Sequence, residues 1–190
     1  MSFIQWSLTP VAIVKTMVEH VLASWNPQGF EAFQDYTAAI YVLLHCVRET
    51  ISGRSQLTPT QAKVLIAWSR DMLPRVIRWL RDLQWQGLHK GCLAVSGDSA
   101  GALAFPHIAS NYLIIDVIDP LIALCSTPGG PELISAEFIS AVERTWSRAQ
   151  AAYPNPIDEV QGAAFVWCTG LDSIDAKLRE LRAVYTQSSK

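Results

Sequence analysis

The sequence predicts an all-α fold, a single-domain bundle of five to seven helices over residues 1–190. Three observations carry this. Proline recurs just inside segment starts, at Pro10, Pro59 and Pro156, where its missing amide costs nothing and its fixed φ suits a first helical turn. Apolar residues recur at spacings of three and four through most of the chain. No stretch alternates apolar and polar residues convincingly, and no Asn-Gly or Asp-Gly hairpin turn appears. Half the residues are apolar and 17% are charged, which excludes global disorder and supplies one core without requiring a second domain. Part of that apolar surface is expected to be buried between subunits.

"LTPVAIVKTMVEHVLASWNP" opens the chain's first helix, with Thr9 as N-cap, Pro10 in the first turn, and Val14, Met17, Val18, Val21, Leu22 and Trp25 at helical spacing. Asn26-Pro27 ends it. Phe30 to Ile51 reads as a buried helix through Phe33, Tyr36, Ile40, Tyr41, Leu44 and Val47, stopping at Ser52-Gly53. "LTPTQAKVLIAW" repeats the entry chemistry: Thr58 caps, Pro59 follows, and Gln61 completes a capping box. This helix is expected to kink or restart at Pro74 and to run on to Gly87. Ala100 to Cys125 reads as helix interrupted at Pro106 and Pro120, with "LIIDVI" keeping a short strand in play through its β-branched residues. "STPGGP" is a loop, and Glu132 to Tyr153 an amphipathic helix through Phe138, Val142, Trp146 and Ala149. In the last segment, 155–187, Asn155 caps and Leu171, Ile174, Leu178, Leu181 and Tyr185 form a stripe seeking a partner, within the fold or on another subunit.

No membrane span is predicted, because the uninterrupted apolar part Tyr112 to Leu124 is cut by Asp116 and Asp119. The N-terminus lacks a basic leader followed by an apolar stretch, which favours a cytoplasmic or intracellular setting. Cys46, Cys92, Cys125 and Cys168 form no CxxC pair, and are expected to be small buried hydrophobes. His20, His45, His89 and His107 show no metal-ligand spacing, so neither a metal nor another cofactor is called for.

Gly97, Asp98, Ser99, Ala100 and Gly101 spell Gly-x-Ser-x-Gly. They resemble the nucleophile elbow of the α/β hydrolases, particularly the lipases and esterases related to hormone-sensitive lipase. That resemblance implies Ser99 as nucleophile on a strand–turn–helix elbow, with "CLAVS" as the strand and an acid and a histidine downstream. The surrounding chain departs from the family: no His-Gly-Gly-Gly segment precedes, and no alternation of strands and helices builds a parallel sheet. The downstream histidine, His107, lies eight residues on, about 12 Å along a helix and out of proton-transfer reach. Asp119, in "DPL", resembles the family's acid-bearing stretch but follows Ser99 by only twenty residues. The same five residues make a helix entrance, with Asp98 or Ser99 as cap and glycines for tight turning. That is the preferred reading, and the protein is not expected to be an enzyme.

Arg70, Arg75, Arg78, Arg81 and Lys90 stand against Asp71 and Asp82, a local charge of +3 in a chain of −2. With Trp68, Trp79 and Trp85 interleaved, this segment offers guanidinia for phosphates and rings for bases. Its alternative is a solvated helix face whose tryptophans anchor the core. "YLIIDVIDPLIAL" resembles a helix of rod-shaped plant-virus coat proteins that carries a similar Asp-Pro-Leu. The expectation is therefore a non-enzymatic association protein, a homo-oligomeric coat or nucleocapsid-like subunit of a virion laying its arginine-lined helix on RNA. The alternatives are a Ser99 hydrolase, and an adaptor docking a partner protein through its terminal helix.

Overall fold

The computed structural model describes residues 10–24, 26, 29–85, 87–88, 109, 111–152 and 161–188. Among them are six α-helices and no strand: α1 (Pro10–Ala23), α2 (Phe30–Ile51), α3 (Pro59–Asp82), α4 (Asp119–Cys125), α5 (Ala136–Ala152) and α6 (Gln161–Ser188). A π-helical turn, Leu113–Ile118, leads into α4, and a 3-10 turn, Pro131–Leu133, precedes α5. The all-α bundle is as the sequence predicts. α2 lies at the centre, packed against α1, α3, α4 and the π turn; α5 pairs with α3, and α6 closes over α4. None of the described helices is long and apolar enough to cross a membrane.

α1 buries Val11 and Val18, with Val14, Val21 and Leu22 packed beside them. Met17 shares the helical spacing but falls a quarter-turn off that stripe and is 40% exposed. α2 has the predicted bounds, and Gly53 beyond its C-terminus takes φ 70°, the left-handed conformation glycine adopts without a Cβ penalty. Tyr41 also turns outward, because Ile40 and Leu44 already hold the inward line; its ring stacks on His45 with centroids 5.6 Å apart.

α3 opens on the predicted capping box: Gln61 N–H donates to Thr58 Oγ1 at 3.3 Å, and Thr58 N–H to Gln61 Oε1 at 2.9 Å. The restart that the sequence allows at Pro74 does not occur: the helix is continuous through it. Pro74 sits on the exposed face, so water can reach the carbonyl it leaves without an amide. The break comes instead at Leu83, whose φ −53° and ψ 129° turn the chain inward and bury Leu83, Trp85 and Leu88. Side chains of α5 take up the last α3 carbonyls there. Thr145 Oγ1 reaches Leu80 O at 2.9 Å, and Arg148 donates to both Arg81 O and Leu83 O. Trp85 Nε1 returns a bond to Thr145 O at 3.1 Å.

"LIIDVI" is neither strand nor ordinary α-helix. The Asp119 amide bonds Ile114 O five residues back, which defines the wider π turn. Pro120 follows in the first turn of α4: it cannot donate, its ring would crowd the carbonyl four residues earlier, and the widened turn relieves that crowding. After α4, Gly129 takes φ 78°, while a Cβ on Gly130 would run into Leu124 O. α5 starts at Ala136 rather than Glu132, because the Pro131 turn intervenes and Ser135 is the cap, its Oγ accepting from Phe138 N–H at 3.2 Å.

An aromatic cluster joins α2 to α3. Tyr36 stacks on Trp79 at 4.7 Å, and Phe33 meets Trp85 and Tyr112 edge-on. Tyr36 donates to Leu22 O at 3.0 Å, and burial holds its phenol well above the ordinary range. Trp68 Nε1 reaches Glu19 at 2.8 Å and Trp146 Nε1 reaches Asp175 at 3.1 Å, so tryptophan N–H groups tie helix to helix. In α6, Ile174 and Leu181 are fully buried and Leu178 and Tyr185 packed beside them, so the described part of the terminal stripe is spent on the chain's own core.

Candidate nucleic-acid interface

α3 divides sharply into two faces. Leu65, Trp68, Met72, Val76, Trp79 and Leu80 are buried on one side. Lys63, Arg70, Arg75, Arg78 and Arg81 are exposed on the other, against Asp71 and Asp82. This happens because the arginines fall three, five and eight residues apart, which keeps them within one half of the helix circumference. The row from Arg70 to Arg81 extends about 16 Å along the axis, and α3 alone carries +3 while the whole chain carries −2.

The arginines are not equivalent. Arg81 pairs with Glu137 of α5. Arg70, Arg75 and Arg78 make no ion pair with any carboxylate among the described residues, although elsewhere Arg48 and Arg54 share Glu49 and Arg182 takes Glu143 in a two-pronged contact. Lys90 lies outside the described residues, so the structure brings together four of the five predicted basic residues. The tryptophans anchor the core, the second of the two readings open for them, and do not face the arginines as base platforms: Trp68, Trp79 and Trp85 are 6%, 2% and 4% exposed. The arginine face therefore offers charge and donors without aromatic platforms. Sequence reading missed the contribution of α5, whose Glu137 and Arg148 both touch the last turn of α3; the spacing of Arg144 and Arg148, four apart in "ERTWSRAQ", was the available signal.

Other chemistry has less to stand on. The Gly97 to Gly101 stretch, with His89 and His107, lies outside the described residues. Asp119, which resembles a hydrolase acid in sequence, forms an ion pair with Lys177 at 3.0 Å, and the hydrogen bonds that Lys177 donates to Asp119 and Glu180 hold its ammonium above its ordinary range. No group of three or more His, Cys, Asp or Glu among the described residues is arranged to hold a metal. Cys125 is buried, its thiol pushed up to about 11 by desolvation; Cys46 is half-buried and raised first by desolvation and then by the Glu49 charge. Cys46 lines a cleft of about 390 Å³ between α1, α2 and the following loop, walled by Val11, Val14, Leu57 and Leu65. Glu49 at its rim is already held by two guanidinia, so that cleft has little charge left to orient a polar ligand.

No protein-family model, curated protein or solved structure matches the chain. What fold and site define is a class: an all-α bundle that carries an exposed arginine row on a two-faced helix, α3.

Proposed function

We propose that the protein is a non-enzymatic association protein that lays the exposed face of α3 on the phosphate backbone of RNA, as one subunit of a self-assembling, coat-like particle. The observation that carries this reading is the exposure of Arg70, Arg75 and Arg78 together on α3 without carboxylate partners among the described residues. Guanidinium forks match phosphate geometry, and neutralising phosphates releases counterions, so such a row attracts a polyanion without reading its sequence. The buried tryptophans support backbone contact rather than base stacking. Self-association is supported separately by Ile13 and Met17, one turn apart on α1 and 52% and 40% exposed.

The test is binding of a single-stranded RNA oligonucleotide across a salt series, together with sedimentation of the free protein. Wild-type affinity should fall steeply with salt, and Arg75→Ala plus Arg78→Ala should flatten the log–log slope by about 0.7 for each phosphate no longer neutralised. Binding that is absent, or indifferent to both changes, sinks the RNA reading. A protein that stays monomeric at high concentration sinks the assembly reading.

A further inference from the structure

We infer that the phosphate-binding surface is a two-helix ridge, in which Arg144 and Arg148 of α5 continue the α3 row. This rests on the RNA reading above and assigns residues to it that lie some 65 positions away in sequence. Glu137, Arg144 and Arg148 stand at i, i+7 and i+11, hence on one stripe of α5. Both ends of that stripe are fixed against α3: Glu137 pairs with Arg81, and Arg148 donates to the Arg81 and Leu83 carbonyls. Arg144 lies between them, one turn from Arg148, and is exposed with no carboxylate partner among the described residues. The Arg148 contacts use two of its five N–H donors and do not cancel its charge, because both acceptors are neutral carbonyls at the C-terminal end of α3.

The ridge thus places Arg78 and Arg81 on one side and Arg144 and Arg148 on the other, with Glu137 and Asp82 the carboxylates that temper it. With no ring on the surface of α3 to stack a base, the ligand it fits is a nucleic-acid phosphate backbone. Arg144 is the clean probe, because Arg148 also caps α3 and its removal would disturb the fold.

Arg144→Ala should weaken binding of single-stranded RNA about fivefold at 0.1 M salt and lower the salt slope by about 0.7, with melting temperature unchanged. Arg144→Lys should restore most of both. Running the same variants on duplex DNA distinguishes the two sources of phosphate: loss on both marks a shared backbone site, loss on one names the strand form held. If Arg144→Ala binds like wild type while Arg75→Ala plus Arg78→Ala does not, the surface ends at α3 and this inference fails with the proposed function intact. If neither α3 nor α5 changes matter, both fail.

Discussion

Replacing Thr145 by valine removes one hydroxyl at the seam between α3 and α5 and keeps the side-chain shape. Thr145 is 1% exposed, with Oγ1 2.9 Å from Leu80 O and 2.7 Å from Ala141 O. A hydroxyl has one proton, so the two contacts count as one hydrogen bond shared between acceptors. Ala141 O lies inside α5 and has the amide four residues on as its regular partner, whereas Leu80 O lies in the last turn of α3, where side chains from α5 do the capping. Losing a buried partner costs about 1–3 kcal/mol, and the added methyl recovers less than about 0.8 kcal/mol, leaving a net loss of roughly 1–2 kcal/mol. For a chain of this length that lowers the melting temperature by about 3–6 °C. Thermal melts followed by circular dichroism read it directly. Thr145→Ser keeps the hydroxyl and should cost less. A valine variant melting with wild type, or a serine variant melting below valine, would refute the view that α5 side chains terminate α3.

Gly130→Ala drives a Cβ into the Leu124 carbonyl, and should cost about 1–3 kcal/mol in denaturant titrations, whereas Gly53→Ala, in open space, should cost less despite its positive φ. Leu181→Ala, at a fully buried site of α6, should cost about 2–5 kcal/mol; a loss under about 1 kcal/mol would mean that α6 is a detachable arm, as the adaptor reading requires. Asp116 is raised by desolvation, partly offset by the Thr37 hydroxyl, so the folded chain holds that proton to higher pH than the unfolded chain. Its carboxylate therefore subtracts stability as pH rises through the raised pKa, and Asp116→Asn should stabilise at neutral pH with an advantage that shrinks on acidification. Cys125 and Cys46, both raised, should resist alkylation at pH 7 in the folded protein and react on unfolding; rapid labelling of Cys125 in the native state would contradict its burial.

What could be read from sequence was the chemistry that acts over one turn. Thr58, Pro59 and Gln61 announced the start of α3, and Ser52-Gly53 the end of α2, because caps are satisfied by residues a few positions away. What acts across the fold was not legible. Periodicity marks a helix but does not choose its inward line when apolar residues crowd it, so Met17 and Tyr41 share the helical spacing of their neighbours and yet lie outside the core. The apolar pattern carries α3 on to Gly87, yet the helix ends at Leu83, where Arg148 and Thr145 arrive from a helix with no local signature of that task. Ser135 was overlooked as a cap because the apolar pattern already admits a start at Glu132, directly after the loop. The arginine row was found through charge alone; of the two readings open for its tryptophans, base platforms or core anchors, burial selects the second, which composition could not do because it does not say which face a ring takes; and its α5 wall was missed because Arg144 and Arg148 are distant in sequence.

The π turn before α4 also bears on how this chain can change length. Each of its closures encloses one residue more than an α closure does, so "LIIDVI" holds slack equal to roughly one residue. A deletion there can be absorbed by tightening the coil, keeping Leu121 and Leu124 aimed at α2, while the same deletion within α2 would rotate every later side chain by about 100° and strip the core of its match. Among the described helices, this widened turn is the place where the gene can lose a codon and the bundle keep its register.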